Sequence, residues 1–207
     1  VKSALSQQRS ELTARLAQAA SIESLLQQHL QFIDRIVAAA WQLCVGDKPG
    51  AALVATGGYG RGELYPLSDI DILVCADEHL QSGIEECAGR FFSLLWDSGL
   101  KLGHAVRSVA QCVEAGKQDV STFTALLETR RLAGDESVFQ ALKQAMQSPG
   151  IYSALDYFNA KRLEQRQRHA KFHNTADNLE PNLKEGPGGL RDFHNLNWME
   201  KKLYGVN

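Results

Sequence analysis

No stretch of this 207-residue chain is apolar for long enough to span a bilayer, and no internal repeat or low-complexity tract interrupts it. A membrane span and a repeat array are therefore not expected. Excess charge is missing too. The 22 Lys and Arg nearly balance the 24 Asp and Glu, and a net charge of −2 gives no general pull towards nucleic acid. The four cysteines, Cys44, Cys75, Cys87 and Cys112, form no C-x-x-C pair. They suggest reduced, partly buried thiols in a cytoplasmic protein, not zinc ligands or a disulfide frame. No signal peptide is expected. The chain opens on Val1 and stops in an apolar, helix-like segment, so a fragment of a longer polypeptide is expected. Its length suits one or two domains, and 44% apolar residues can bury a real core.

Two familiar glycine motifs are also absent. The glycines of residues 57–62 are not followed by Gly-Lys-Ser/Thr, which excludes a P-loop, and Gly58, Gly60 and Gly62 do not have G-x-G-x-x-G spacing. What stands there instead is an apolar run (Ala51 to Ala55), a glycine-rich turn, room for one or two helical turns, and Asp69-Ile70-Asp71 opening a second apolar run. Strand alternation puts Asp69 and Asp71 on one side and Ile70, Ile72 and Val74 on the other, towards a core. Two adjacent carboxylates repel each other unless a cation lies between them, and oxygen ligands favour a hard ion such as Mg²⁺. A pair of turn or capping aspartates is the blander reading. The glycine pair Gly57-Gly58 lets backbone N–H groups approach an anion, and a following helix start adds partial positive charge. Phosphate held beside carboxylate-bound metal is the geometry of phosphoryl or nucleotidyl transfer.

This stretch resembles the nucleotidyltransferase superfamily related to DNA polymerase β, whose pattern is a glycine pair, a spacer and Asp-h-Asp/Glu. Here ten residues separate Gly57-Gly58 from Asp69-Ile70-Asp71. The fuller wording, Gly57-Gly58-Tyr59-Gly60-Arg61-Gly62-Glu63-Leu64 with Pro66-Leu67-Ser68-Asp69-Ile70-Asp71, is similar to the bacterial PII uridylyltransferase/uridylyl-removing enzymes. A second stretch, from Asn178-Leu179-Glu180-Pro181 through Gly186-Pro187-Gly188-Gly189-Leu190-Arg191-Asp192, resembles the same family. The resemblance implies transfer of UMP from UTP to a tyrosine of the PII nitrogen-regulatory protein, with release of pyrophosphate. It assigns Mg²⁺ to Asp69 and Asp71 and the triphosphate to the Gly57-Gly58 turn. It also implies further hydrolase and glutamine-sensing domains in the same polypeptide. No residue of the motif reads uracil, so UTP rests on the resemblance. Another nucleotidyltransferase of the superfamily, or a nucleotide-binding sensor without catalysis, are the alternatives.

The implied fold is α/β (α+β): a polymerase β-like core with a small mixed sheet, flanked by helical segments at both ends. Residues 1–48 read as an N-terminal helical segment, 49–134 as the nucleotidyltransferase core and 135–207 as a C-terminal helical segment. Helical spacing covers 2–20, 22–44 with Ser21 as N-cap, 79–98, 108–116, 119–132 and 135–147, the last ended by Ser148-Pro149-Gly150. Leu100 to Val106 reads as a third strand. A polar helix over 152–172 carries Arg162, Arg166, Arg168, His169 and Lys171, expected on a solvated face. Asn174 to Gly189 reads as an ordered loop and Leu190 to Tyr204 as a last helix.

Arg61 either reaches the triphosphate or pairs with Glu63, and Ser68 either binds phosphate or caps the turn. Lys184 and Arg191 bring positive charge to the phosphates, or pack against Asp192 and Glu180. The superfamily places a third carboxylate on a later strand, but residues 101–107 contain none. His104 stands about where it belongs. An imidazole there would accept a proton or bind metal, since this residue type titrates near neutrality, or it is structural. Asp119 and Glu114 are the other candidates for the third acid.

Overall fold

The computed structural model describes residues 1–148, 150–177 and 179–205, with all of their side chains except those of Gln81 and Ser82. Pro149, in the expected break, and Asn178, at the head of the second motif, lie outside the described residues.

Strand β1 (Ala51–Ala55) is buried along its whole length, which is why its run of small and branched apolar residues has no polar face. A single helical turn, α3 (Gly57–Gly60), follows it, and β2 (Ile70–Ala76) returns antiparallel with Val74 opposite Leu53. Strand β3 (Leu102–Arg107) lies parallel to β2, with Gly103 opposite Asp71 and His104 opposite Ile72. Strand β4 (Arg130–Gly134) closes the other side of β1, antiparallel, with a register shift at Leu53/Val54. The sheet order is β3-β2-β1-β4.

Helices cover both faces. On one side, α1 (Lys2–Ala17), α2 (Ile22–Cys44) and α4 (Gln81–Asp97) pack Leu5, Ile33, Val37, Trp41 and Phe91 against Leu53, Ile70, Ile72 and Val74. On the other, Val54, Leu73 and Cys75 meet α5 (Val109–Gln118), α6 (Val120–Leu127), α7 (Glu136–Gln147), α8 (Ala154–Ala170) and α9 (Leu190–Tyr204) through Cys112, Phe123, Leu142, Tyr157 and Trp198. Side-chain caps start several of these helices: Ser21 for α2, Ser108 with Gln111 for α5, and Asp119 for α6. No described helix is long and apolar enough to cross a membrane.

The helix expected over 119–132 is a correction. It stops at Leu127, and residues 130–134 form β4 instead. A buried strand edge demands hydrogen-bond partners, and β1 would otherwise have an open one. Arg130 anchors the new strand, with its guanidinium donating to both oxygens of Asp34 on α2 at 2.8 and 3.1 Å while the Tyr59 hydroxyl donates to Asp34 at 2.7 Å.

Candidate active site

The site begins where β1 ends. Gly57 has φ +58°, in the left-handed region that favours glycine, and a Cβ built on it would stand 3.5 Å from Asp71 Oδ2. The glycine turn therefore lies against the second aspartate. The first turn of a helix leaves N–H groups without intrahelical partners, and in α3 these belong to the glycine pair and its neighbour. Gly58 and Gly60 have different surroundings. A Cβ on Gly58 would meet the Glu63 carbonyl at 3.4 Å, whereas one on Gly60 would fall on the backbone carbonyl of Glu128. Gly60 is a packing glycine, and Gly58 has near-ordinary contact room.

The turn, the entry to β2 and the C-terminal helices enclose a cavity of about 850 Å³. Gly57, Gly58, Arg61, Ser68, Asp69 and Asp71 line it together; Lys184 approaches from the loop before α9, Arg191 from the first turn of α9, and Lys161, His194 and Trp198 from α8 and α9. The carboxylates of Asp69 and Asp71 make no hydrogen bond or ion pair among the described residues. Asp71 opens onto the cavity, yet surrounding protein strips it of enough water to raise its pKa above the ordinary carboxylate value. Repulsion from Asp69 adds to that rise, and Lys184 opposes it.

His104 does not belong to this group. Alternation along β3 sends Gly103 to the face of Asp71 and His104 to the opposite face, where its ring centroid lies 4.4 Å from that of Phe92 and 4.9 Å from that of Trp96. Reading it as a base or ligand beside the aspartates is therefore corrected: the imidazole packs on α4. Gly103 takes the position facing Asp71, and any Cβ there would run into Asp71 Oδ1. Neither alternative acid replaces it. Asp119 accepts from Ser121 N and Thr122 N at the start of α6, Glu114 accepts from Gln118, and neither lines the cavity. Among the described residues no group of three or more His, Cys, Asp and Glu is placed to share a metal ion.

Of the two readings of Arg61, the pairing with Glu63 is present. It lines the cavity, and it also donates to Glu63 Oε2 through Nε at 3.0 Å and through a terminal nitrogen at 2.8 Å. Its Nε stands 3.5 Å from buried Glu128, and its guanidinium lies 5.6 Å from the Trp198 ring centroid. Arg191 likewise lines the cavity while paired to Glu185 at 3.0 Å.

The expected solvated face of α8 holds for Arg162, Arg166 and Lys171, which are exposed, and is corrected for Arg168 and His169. Arg168 is buried and donates to Asp192 at 2.5 Å and to the Glu185 carbonyl at 2.6 Å, and His169 bonds the same aspartate at 2.9 Å. The Gly188 N–H also donates to Asp192, at 2.8 Å. This clamp ties the turn that carries Lys184 to the start of α9, which carries Arg191. Sequence reasoning missed Lys161, Glu128, His194 and Trp198 in the walls. Lys161 is 2% exposed, pairs with Glu164 and lies 4.6 Å from the Trp198 ring centroid. The available signals are the i, i+4 spacings of Tyr157 with Lys161 and of His194 with Trp198, which put each pair on one helix face.

Two family models match the chain. Residues 39–133 match the family model described as nucleotidyltransferase domain, and residues 156–207 match that of GlnD PII-uridylyltransferase. A bifunctional uridylyltransferase/uridylyl-removing enzyme from Stutzerimonas stutzeri is 45% identical over 207 residues, covering 99% of this chain and 23% of the relative. Its namesake from Xanthomonas axonopodis pv. citri is 45% identical over 94% of this chain and 22% of that protein. The one from Vibrio parahaemolyticus is 44% identical over 89% and 21%. The chain thus spans under a quarter of the length of these curated relatives. Two family models are thus matched in chain order, and the chain, which contains a nucleotidyltransferase domain, shares close to half of its residues with these bifunctional uridylyltransferase/uridylyl-removing enzymes along nearly its whole length.

Proposed function

We propose that this cavity transfers UMP from UTP to a tyrosine hydroxyl of the PII signalling protein, with Mg²⁺ held by Asp69 and Asp71. The observation that carries the proposal is a pair of carboxylates with no hydrogen bond or ion pair among the described residues, set against a glycine turn in one cavity. UTP and PII come from the names of the matching family and relatives.

The donor set fits the ion. Both ligands are hard oxygens, and Mg²⁺ is commonly held by one or two carboxylates with substrate phosphates and waters completing its shell. A third carboxylate is therefore not required to hold it. When bound, Mg²⁺ would offset triphosphate charge and polarise the phosphoryl group under attack. The protein's own part is positioning and charge. Backbone N–H groups of Gly57 and Gly58 donate to phosphate oxygens, with the Ser68 hydroxyl as a further donor. Arg61 and Lys184 add positive charge at the wall. The tyrosine oxygen bonds to the α-phosphorus, its proton passing to solvent water, as the bond to the bridging oxygen breaks and pyrophosphate leaves.

In this reading residues 49–134 are the catalytic core, while 1–48 buttress the sheet and 135–207 supply the far wall. Four unpaired cysteines suit a reducing compartment, and we assign the protein to the cytoplasm.

The test is pyrophosphate release by the full-length enzyme given UTP, Mg²⁺ and purified PII protein. Release that requires all three is expected. Release with another nucleotide or acceptor would make it a different nucleotidyltransferase, and UTP binding without release would make the site a sensor.

A further inference from the structure

Helix α9 presents His194, Trp198 and Lys201 at i, i+4 and i+7, a single stripe along one face. Every rung of that stripe touches Arg61 or one of the two carboxylates beside it. His194 Nε2 lies 3.5 Å from Glu63 Oε2, the Trp198 ring lies 5.6 Å from the Arg61 guanidinium, and Lys201 Nζ donates to Glu128 Oε1 at 2.8 Å. Glu63 holds Arg61 through two hydrogen bonds. Glu128 does not: its Oε2 is buried, makes no hydrogen bond among the described residues, and faces Arg61 Nε at 3.5 Å.

The charges around Glu128 decide where Arg61 sits. The Glu128 side chain is 1% exposed, so its carboxylate needs cationic partners. Two are at hand, Arg61 and Lys201. While Lys201 satisfies Oε1, Arg61 remains on Glu63 at the cavity wall. Without Lys201, the buried carboxylate would have Arg61 as its nearest cation and would draw the guanidinium inwards, off Glu63 and away from the cavity.

We propose that Lys201 is a positioning residue: by neutralising Glu128 it keeps Arg61 facing the cavity, where the guanidinium meets the nucleotide's phosphates. This rests on the functional reading above. It links that arginine to a helix that lies outside the matched nucleotidyltransferase domain and within the second matched region. A plain tie between α9 and the end of α6 is the competing explanation for the same ion pair, and charge removal separates the two.

The experiment measures KM for UTP and kcat for UMP transfer in the full-length enzyme, alongside melting temperature. Lys201→Met should raise KM on the order of 10–100-fold, the loss expected for one charge-assisted contact. Lys201→Arg should restore it. The decisive variant is Lys201→Met combined with Glu128→Gln. With no buried carboxylate left to capture Arg61, KM should return to within about threefold of wild type, although the α6–α9 ion pair is still missing. That double variant leaves no uncompensated buried charge, so it remains decisive should Lys201→Met alone fail to fold. A KM that stays high in the double variant, or never rises in Lys201→Met, overturns the proposal. Arg61→Ala is the control. If it leaves KM unchanged, Arg61 does not contact phosphate and the positioning role falls with it. A wild-type enzyme that fails to use UTP would overturn the functional reading itself.

Discussion

Asp71 lines the cavity and Asp192 holds the turn behind Lys184, and the two carboxylates have opposite surroundings. Asp192 is saturated: Arg168, Gln165, His169 and the Gly188 N–H all bond it, at 2.5 to 2.9 Å. Burial alone would raise its pKa, but these donors outweigh burial and hold it well below the ordinary carboxylate range. Asp71 has no such donor, so burial and the charge of Asp69 push it the other way. A carboxylate whose lone pairs are all used is architecture. One left bare beside a second carboxylate destabilises the empty protein and is available to a ligand.

Asp71→Asn gives the largest expected effect, because it removes one of two candidate metal ligands. UMP transfer should fall by about 10³-fold or more, a loss of several kcal/mol of transition-state stabilisation. Folding should be unharmed. The raised folded pKa means that ionised Asp71 opposes folding above that pKa, and the penalty is relieved as pH falls through it. The variant should therefore melt no lower than wild type at neutral pH. Near-normal pyrophosphate release would break the comparison outright.

Asp192→Ala should do the reverse. It leaves Arg168 buried without its main partner, at a cost of about 3 kcal/mol in denaturant titrations. Because the folded pKa of Asp192 is depressed, its contribution is fully present above the ordinary aspartate pKa near 4 and fades as pH falls below that. The stability gap between wild type and variant should therefore be full at pH 6 and shrink below about pH 4. A gap that does not change with pH would mean packing, not charge, makes Asp192 structural.

A similar split runs through the glycines, with a smaller effect. Gly60→Ala must move the Glu128 backbone and should cost roughly 1–3 kcal/mol of stability. Gly58→Ala meets only ordinary contact, and should cost under about 1 kcal/mol while raising KM for UTP. Equal melting temperatures for the two would show that the turn yields easily. The smallest effect belongs to His104, outside both groups. His104→Ala should leave the transfer rate within about twofold and cost about 1 kcal/mol through lost ring contacts with Phe92 and Trp96. A rate loss of about 10²-fold would return His104 to catalysis.

What the sequence shows and what it conceals divide along physical lines. Strands β1 and β2 are legible because apolar runs bounded by glycine and aspartate leave little else to form, and alternation alone turns Ile70, Ile72 and Val74 inwards. Strand β4 is not legible. Arg130-Arg131-Leu132-Ala133-Gly134 has no clear alternation, and it is a strand because β1 has an edge to fill and Asp34 holds Arg130. His104 is a register error of one residue. The side facing Asp71 depends on how β3 slides along β2, which neither strand encodes alone. Lys161, Arg168 and His169 look like surface charge on a polar helix until α9 is docked against them.

The pairing of β1 with β4 also has a consequence in time. Ala55 and Arg130 are neighbours across the sheet but about 75 residues apart along the chain. A ribosome adds about 5–20 residues each second, so β1 emerges roughly 4–15 s before the strand that will cover its second side. Strand β2 follows much sooner and can form the first hairpin-like pair. In between, one edge of Ala51–Ala55 stands unpaired, without a charge to repel a neighbouring nascent chain. Its brevity is the protection: five residues give another strand little to pair with before β4 arrives.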